Sequence, residues 1–402
     1  MAMKQASVLS AADREVYTGL LKWMCTSWFS MPITANSIMT IAYRYTPEEA
    51  EYLTGFPLSP KTFEDLAGFK NTGTDELREK IDELTRKGLL YSFTKNDKRY
   101  YLLNEIYTSL RTWGWPGPAP TPENKDYATL LETWGSEFMA PWAEVRERGL
   151  RAIPIQQTVE DDRQILPYED IKKVLDSYTY FCVTHCGCRE RKNLAEHTPD
   201  CKYPSSVCLH FDRLAHYVVD NGMGREITKQ EAADILRHCA DLGLVHGINN
   251  QQMGTDTICN CCSCCCMWFD GMRQLKNAGN DTLNPSNYRI HTDDQTCTGC
   301  GLCVKRCPMD ALKLKDTPHA KGRKTVLAGE GGKEKALINK TGKLADANTD
   351  LCIGCGVCAY KCPSKSLTLV RNKVEHHPPQ TGRDWVIQYV TDTAGFRHND
   401  NA

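Results

Sequence analysis

The feature that most constrains this chain is a four-cysteine run that occurs twice near its C-terminal end. Cys297, Cys300, Cys303 and Cys307 precede Pro308, and Cys352, Cys355, Cys358 and Cys362 precede Pro363. Both runs have the spacing C-x2-C-x2-C-x3-C-P. They belong to a total of 21 cysteines in 402 residues. An odd count that includes the contiguous Cys264-Cys265-Cys266 is ill suited to a disulfide scaffold. A chain of this length can also bury a core without covalent staples. The cysteines are therefore read as metal ligands in a reducing compartment.

Composition removes several alternatives. Lys plus Arg total 49 against 50 acidic residues, a formal charge of -1, so there is no overall attraction to nucleic acid or anionic membrane. Hydrophobic residues at 41% and charged residues at 25% fit a folded chain of two to four compact units. Residues 1–14 lack the apolar stretch of a secretory signal. Trp23 to Tyr43 holds 21 residues without a charge, long enough to span a bilayer. Pro32, Asn36 and several hydroxyl residues would be costly there, so the segment is expected in protein core and the protein in the cytoplasm.

Residues 1–112 carry a winged-helix-like pattern. Thr62 can cap a short helix through Leu66, and Thr74 a second through Arg86 that ends near Gly88. Leu89–Phe93 and Arg99–Leu103 then read as strands around the turn Lys95–Lys98. The candidate DNA-reading helix carries five acids (Asp75, Glu76, Glu79, Asp82, Glu83) against four bases (Arg78, Lys80, Arg86, Lys87). Phosphate recognition needs a basic face, so packing or docking is the preferred role and no nucleic-acid partner is expected. Residues 113–124, from Trp113 to Pro122 above all, read as a Pro-rich linker. Residues 125–285 form a Cys-rich module, expected to be mostly helical. Tyr127–Arg148 looks helical, and Thr228 with Glu231 forms a capping box for a helix closed by Gly243. Cys239 on its apolar stripe and Cys25 near the N-terminus read as buried, unligated thiols.

Residues 286–372, with Ala311-Leu312 and Ser366-Leu367 after the two Cys-Pro pairs, resemble the bacterial two-cluster ferredoxins. The resemblance implies a βαβ pair around two [4Fe-4S] clusters that pass single electrons. It also implies crossed ligand sets: Cys297, Cys300, Cys303 with Cys362, and Cys352, Cys355, Cys358 with Cys307. Zinc knuckles need no remote fourth ligand, so the doubled run favours iron. The stretch Lys313–Asp346 is longer than a compact ferredoxin needs and reads as an exposed hairpin insertion. Its Gly329–Lys333 fragment is similar in outline to a phosphate loop, but its glycine spacing is wrong and no Ser or Thr follows the lysine. Residues 373–402 are left as a C-terminal tail.

The middle module contributes eleven further candidate ligands: Cys182, Cys186, Cys188, Cys201, Cys208, Cys259, Cys261, Cys262, Cys264, Cys265 and Cys266. Two cubanes would use eight and leave three, so the partition stays open at one or two additional clusters. Cys182, one turn before Cys186, has the weakest claim. His185, His210 and His246 lie nearby in sequence, with hydrogen bonding preferred to ligation. Arg189 is read equally as a donor to cluster sulfurs or a surface ion pair. The order from Pro154 through Cys186-Gly-Cys188-Arg189, Cys201, Cys208, Gly224–Ile227, Gly243–His246 and Cys259–Cys266 resembles a group of iron–sulfur proteins of anaerobes.

The resulting expectation is an α+β chain: a winged-helix-like N-terminal domain, the Cys-rich module and a ferredoxin-like dicluster domain. No dinucleotide fingerprint or nucleophile–base constellation is evident. The chain is therefore read as an electron-transfer subunit or redox partner of a larger oxidoreductase, without an integral membrane segment and with no catalytic residue assigned. A cluster-based transcriptional sensor and an enzyme with a catalytic cluster in the middle module are the alternatives.

Overall fold

The computed structural model describes residues 9–70, 74–143, 145–161, 165–196, 198, 200–274, 283–328 and 334–394. The Gly329–Lys333 fragment lies outside them. Helices and strands are mixed along the chain, an α+β arrangement in which every pairing between named strands is antiparallel.

The uncharged N-terminal stretch does not form one helix. Helix Ala11–Met24 stops, and a second, Ala35–Arg44, restarts after Thr34, whose hydroxyl accepts from the Ser37 amide in a reciprocal capping box. Between them Phe29 and Met31 enter the core. Among the described residues no helix is long and apolar enough to cross a membrane. Helices Phe63–Lys70 and Thr74–Arg86 follow. Thr62 caps the first through the Asp65 amide, and the second buries Leu77, Ile81 and Leu84. Strands Leu90–Lys95 and Lys98–Leu103 form a hairpin, to which Lys61–Thr62 adds a short third strand. Asn96 and Asp97 take positive φ at its tight turn, as a two-residue hairpin requires.

The segment expected as a linker is held in place. Helix Ile106–Gly114 runs into it, Trp113 and Trp115 are buried, and the Trp115 carbonyl accepts from the His185 amide at 3.0 Å. The following helix begins earlier than expected, spanning Pro122–Ala143. Two large indoles bury more apolar surface than the neighbouring prolines can keep extended in water.

The middle module is not mostly helical. Its centre is a six-stranded sheet in the spatial order Leu150–Ala152, Val245–Asn249, Thr257–Cys261, Ser206–Phe211, Phe181–His185, Arg225–Ile227. The strands are short and several of their alternating positions are cysteines, so treating those as ligands hid a period-two pattern. One face buries Val183, Leu209, Phe211, Ile248 and Ile258 beneath helix Lys229–Leu242. Thr228 caps that helix, but the reciprocal half of the expected box is missing because the Glu231 carboxylate pairs with Arg225 at 2.6 Å. Gly243 closes the helix at φ 90°.

The C-terminal domain repeats strand, cysteine run, one-turn helix, strand. The first strand of one half pairs with the last of the other: Tyr288–Thr292 with Leu367–Arg371, and Leu312–Asp316 with Lys343–Ala347. This crossed pairing is a pseudo-twofold, and Asp310 and Lys365, equivalent in the two halves, both have φ near +50° (53° and 50°). A second hairpin, Lys324–Ala328 with Glu334–Ile338, is nested inside the first and exposes Val326 and Ile338. The segment expected as a tail contains helix Gly382–Asp392, which docks Trp385 and Tyr389 against Trp28, Phe29 and Trp142. Domains are also tied by a fully buried ion pair, Arg151 to Glu169 at 3.2 Å, whose carboxylate accepts the Asn287 amide.

Candidate metal centres

In the C-terminal domain each run curls so that three of its thiols converge. The curl needs positive φ at Gly299 (63°) and Gly354 (66°), where a Cβ would collide with the Lys343 and Tyr288 carbonyls respectively. Cys362, from the second run, stands with Cys297, Cys300 and Cys303 around a small enclosed space. Cys307, from the first, stands with Cys352, Cys355 and Cys358. Each half thus lends one thiol to the other.

The environment suits thiolates held by a cation. Burial pushes the Cys303 thiol up to about 11 and the Cys355 thiol to about 12, because desolvation penalises an uncompensated thiolate. Bound metal removes that penalty. Backbone N–H groups point at sulfur: Ala345 to Cys297 at 3.4 Å and Ala311 to Cys307 at 3.3 Å. Burial also raises Cys362, yet the Ser366 and Ser364 hydroxyls, 3.5 and 3.7 Å away, bring it below its ordinary value. These serines, and Asn339, whose amide donates to the Cys297 and Lys343 carbonyls, were not singled out from sequence. A serine two residues beyond Cys362 could have been, since a hydroxyl there can reach the sulfur.

The middle module gathers its thiols in two places. Strand alternation puts Cys259 and Cys261 on the face of the sheet opposite Ile258, next to Cys208 on the neighbouring strand. Helix Gly187–Leu194 brings Cys186 at its N-cap and Cys188 in its first turn. Cys266 comes from the start of helix Met267–Gln274. The side chains of these six are neighbours in a line, Cys186 to Cys188, Cys266, Cys261, Cys259 and Cys208. They border a cavity of about 100 Å³ walled by aromatic side chains including Trp113, Trp115, Trp134 and Trp268, several times the space one water needs. The second place is a quartet, Cys201, Cys262, Cys264 and Cys265, whose sulfurs all lie within 4.8 Å of one another.

Cys182 joins neither group. It faces Trp115, Leu214 and Tyr217 in a core patch, fully buried. Cys239 is likewise a core thiol, packed beside Val207 and Leu244, and the Cys25 thiol meets the Met31 carbonyl at 3.7 Å. Each of the three histidines has a partner other than cysteine: His185 with Glu190 at 2.9 Å, His210 with Thr184 and Thr257 at 3.1 and 3.0 Å, His246 with Asn260 at 2.7 Å; His210 also hydrogen-bonds the Cys208 thiol. Burial pushes His246 down to about 4, so it is neutral at pH 7. Arg189 is no surface ion pair. It is fully buried, donates to the Pro204 and Asn260 carbonyls, and hydrogen-bonds Cys262.

The strand pairing and the two all-thiol quartets of the C-terminal domain define an iron–sulfur protein of the dicluster class. The 4Fe-4S dicluster domain family matches residues 296–366. Ferredoxin-3 of Rhodobacter capsulatus is 34% identical over 86 residues, 20% of this chain and 79% of that protein. A putative ferredoxin-3 of Sinorhizobium fredii is 31% identical over 83 residues, 21% of this chain and 78% of its own length. Through this domain the chain belongs to the dicluster ferredoxins, and its role is iron–sulfur electron transfer. NADH-quinone oxidoreductase subunit I of Pelobacter propionicus is 38% identical over 66 residues, but those cover 36% of that protein and 16% of this chain. No solved structure matches.

Proposed function

We propose that this protein relays single electrons through two [4Fe-4S] clusters in its C-terminal domain and at least one further cluster on the six-thiol line of its middle module, in the service of a larger oxidoreductase. The observation that carries this is the crossed quartet geometry: Cys362 with Cys297, Cys300 and Cys303, and Cys307 with Cys352, Cys355 and Cys358. Each cubane then has four thiolate ligands, and the exchange of a ligand between halves holds the two clusters side by side. Clusters that lack a substrate site of their own serve chemistry done elsewhere. The likeness of the domain to part of a quinone oxidoreductase subunit supports a place in such an assembly.

The N-terminal helices and hairpin act in this reading as a winged-helix-like docking unit. Their hairpin already packs on the module: Tyr217 donates to the Leu90 carbonyl at 2.8 Å, and its ring meets that of Tyr91 at a tilted 59°. One observation favours a second reading, a catalytic cluster: the aromatic cavity beside Cys259 and Cys208 offers space for a small ligand. Potentiometric EPR on the anaerobically purified full chain tests the main reading. It should show two interacting cubanes, about eight irons' worth, plus module iron. A tail with four or fewer irons sinks it. A module signal that shifts on adding cyanide or carbon monoxide would promote the second reading.

A further inference from the structure

We propose that the middle module holds two chemically different metal sites: a single tetrahedral zinc ion bound by Cys201, Cys262, Cys264 and Cys265, separate from the iron–sulfur site on the six-thiol line. The inference rests on the reading that this module binds metal, and sharpens which metal goes where.

Spacing carries it. The Cys201 sulfur lies 3.8 Å from that of Cys262 and 3.6 Å from that of Cys264, and Cys264 lies 3.6 Å from Cys265. One zinc ion holds thiolates at ~2.3 Å in a tetrahedron, which sets the sulfurs ~3.8 Å apart. In a cubane each thiolate binds its own iron corner, so its four sulfurs stand further apart. Among the described residues this is the one group of four gathered within 4.8 Å; the two quartets of the ferredoxin domain are wider. Four all-sulfur ligands in a closed tetrahedron are also the donor set of structural zinc.

The local chain explains the convergence. A turn at residues 263–265 brings Cys262, Cys264 and Cys265 to one point. Cys201 arrives from a distant loop whose amide is held by the Asn193 side chain at 2.8 Å. Four thiolates around a dication leave two negative charges, and the buried Arg189 guanidinium on Cys262 offsets part of that. Zinc has no redox chemistry, so this site is a clasp and not an electron station. By closing the Cys201 loop onto the turn between Cys261 and Cys266, it would set the position of two thiols of the inner site.

Metal and acid-labile sulfide analysis of the anaerobically purified full chain tests this. Wild type should carry one zinc, with iron and sulfide equal, and zinc-edge X-ray absorption should show four sulfurs at ~2.3 Å. Cys201→Ser with Cys264→Ser should lose the zinc and keep all sulfide. Should that pair impair folding, Cys264→Ser alone, at an exposed position, should replace one sulfur in the zinc shell without changing sulfide. Loss of about four sulfides in the double variant would show a cubane on this quartet and overturn the proposal. So would wild type without zinc. If iron and sulfide also stopped at about eight each, the parent reading of the module would fail with it.

Discussion

The two cysteine-rich regions assemble their thiols by different means. In the C-terminal domain three of every four come from seven consecutive residues, and one is borrowed across a pseudo-twofold. In the middle module the partners are far apart in sequence: Cys201 meets Cys262 across 61 residues, and Cys208 meets Cys259 because their strands are neighbours in a sheet. A local run can curl around a cluster with little loop closure, whereas the module must fold first or be drawn together by metal. The ferredoxin domain thus gathers its thiols by a local motif, and the module gathers its thiols by tertiary structure.

The comparison breaks most visibly at single cysteines. Replacing Cys307 by Ser should disturb the cluster of Cys352, Cys355 and Cys358, although it lies in the other run. Replacing Cys362 should disturb that of Cys297, Cys300 and Cys303. Each variant is expected to lose up to about four irons and the spin coupling between the two clusters, read by EPR and iron analysis. If each lost the cluster of its own run instead, the crossed arrangement would be wrong. In the module, Cys259→Ser with Cys261→Ser should lower iron and sulfide while sparing the coupled ferredoxin signal. Unchanged iron would remove the six-thiol line as a cluster site.

Two further tests concern the frame around the metals. Arg151→Met leaves the Glu169 carboxylate buried without its partner where module and ferredoxin domain meet. It should cost about 3–5 kcal/mol in denaturant unfolding, much of it restored by adding Glu169→Leu. A single variant as stable as wild type would show the pair is idle. The His246 imidazole is held neutral by burial, with a pKa of about 4 in the folded chain against 6.5 unfolded. Above pH 6.5 that burial imposes no protonation penalty. Between pH 6.5 and 4 the unfolded chain takes up a proton that the folded chain refuses, so stability falls by about 3 kcal/mol. His246→Asn should flatten this acid slope, and an unaltered slope would place the acid sensitivity elsewhere. Smallest of all, Cys182→Ala should leave iron, zinc and sulfide untouched and cost about 1 kcal/mol for a lost buried sulfur. Any loss of metal would return Cys182 to the ligand set.

Much of the periodic structure was legible. The cap at Thr62, the helix of Thr74–Arg86, the hairpin after it and the helix opened by Thr228 all follow from local chemistry: a hydroxyl aimed at an orphan amide, apolar residues on one face, a tight polar turn. The six-stranded sheet was not, because its strands are short and three of them carry cysteine at alternating positions, where it gives no strand signature. The buried fate of Trp113, Trp115, Trp385 and Tyr389 was hidden in the same way. A proline-rich or terminal setting reads as exposed until a distant partner such as Trp28 or Trp142 is known.

By itself the sequence determined that this chain carries two cubanes' worth of closely spaced thiols near its C-terminal end, since that information is held within each run by fixed spacing and glycines. What the tertiary structure alone decided is the grouping of the eleven candidate cysteines of the middle module into a six-thiol line, a tight quartet and one core residue. Six cysteines within eight residues at Cys259–Cys266 cannot announce which neighbours they share, because strand alternation and a turn send adjacent side chains in opposite directions. Only the strand beside them, and the loop bringing Cys201, choose the partners.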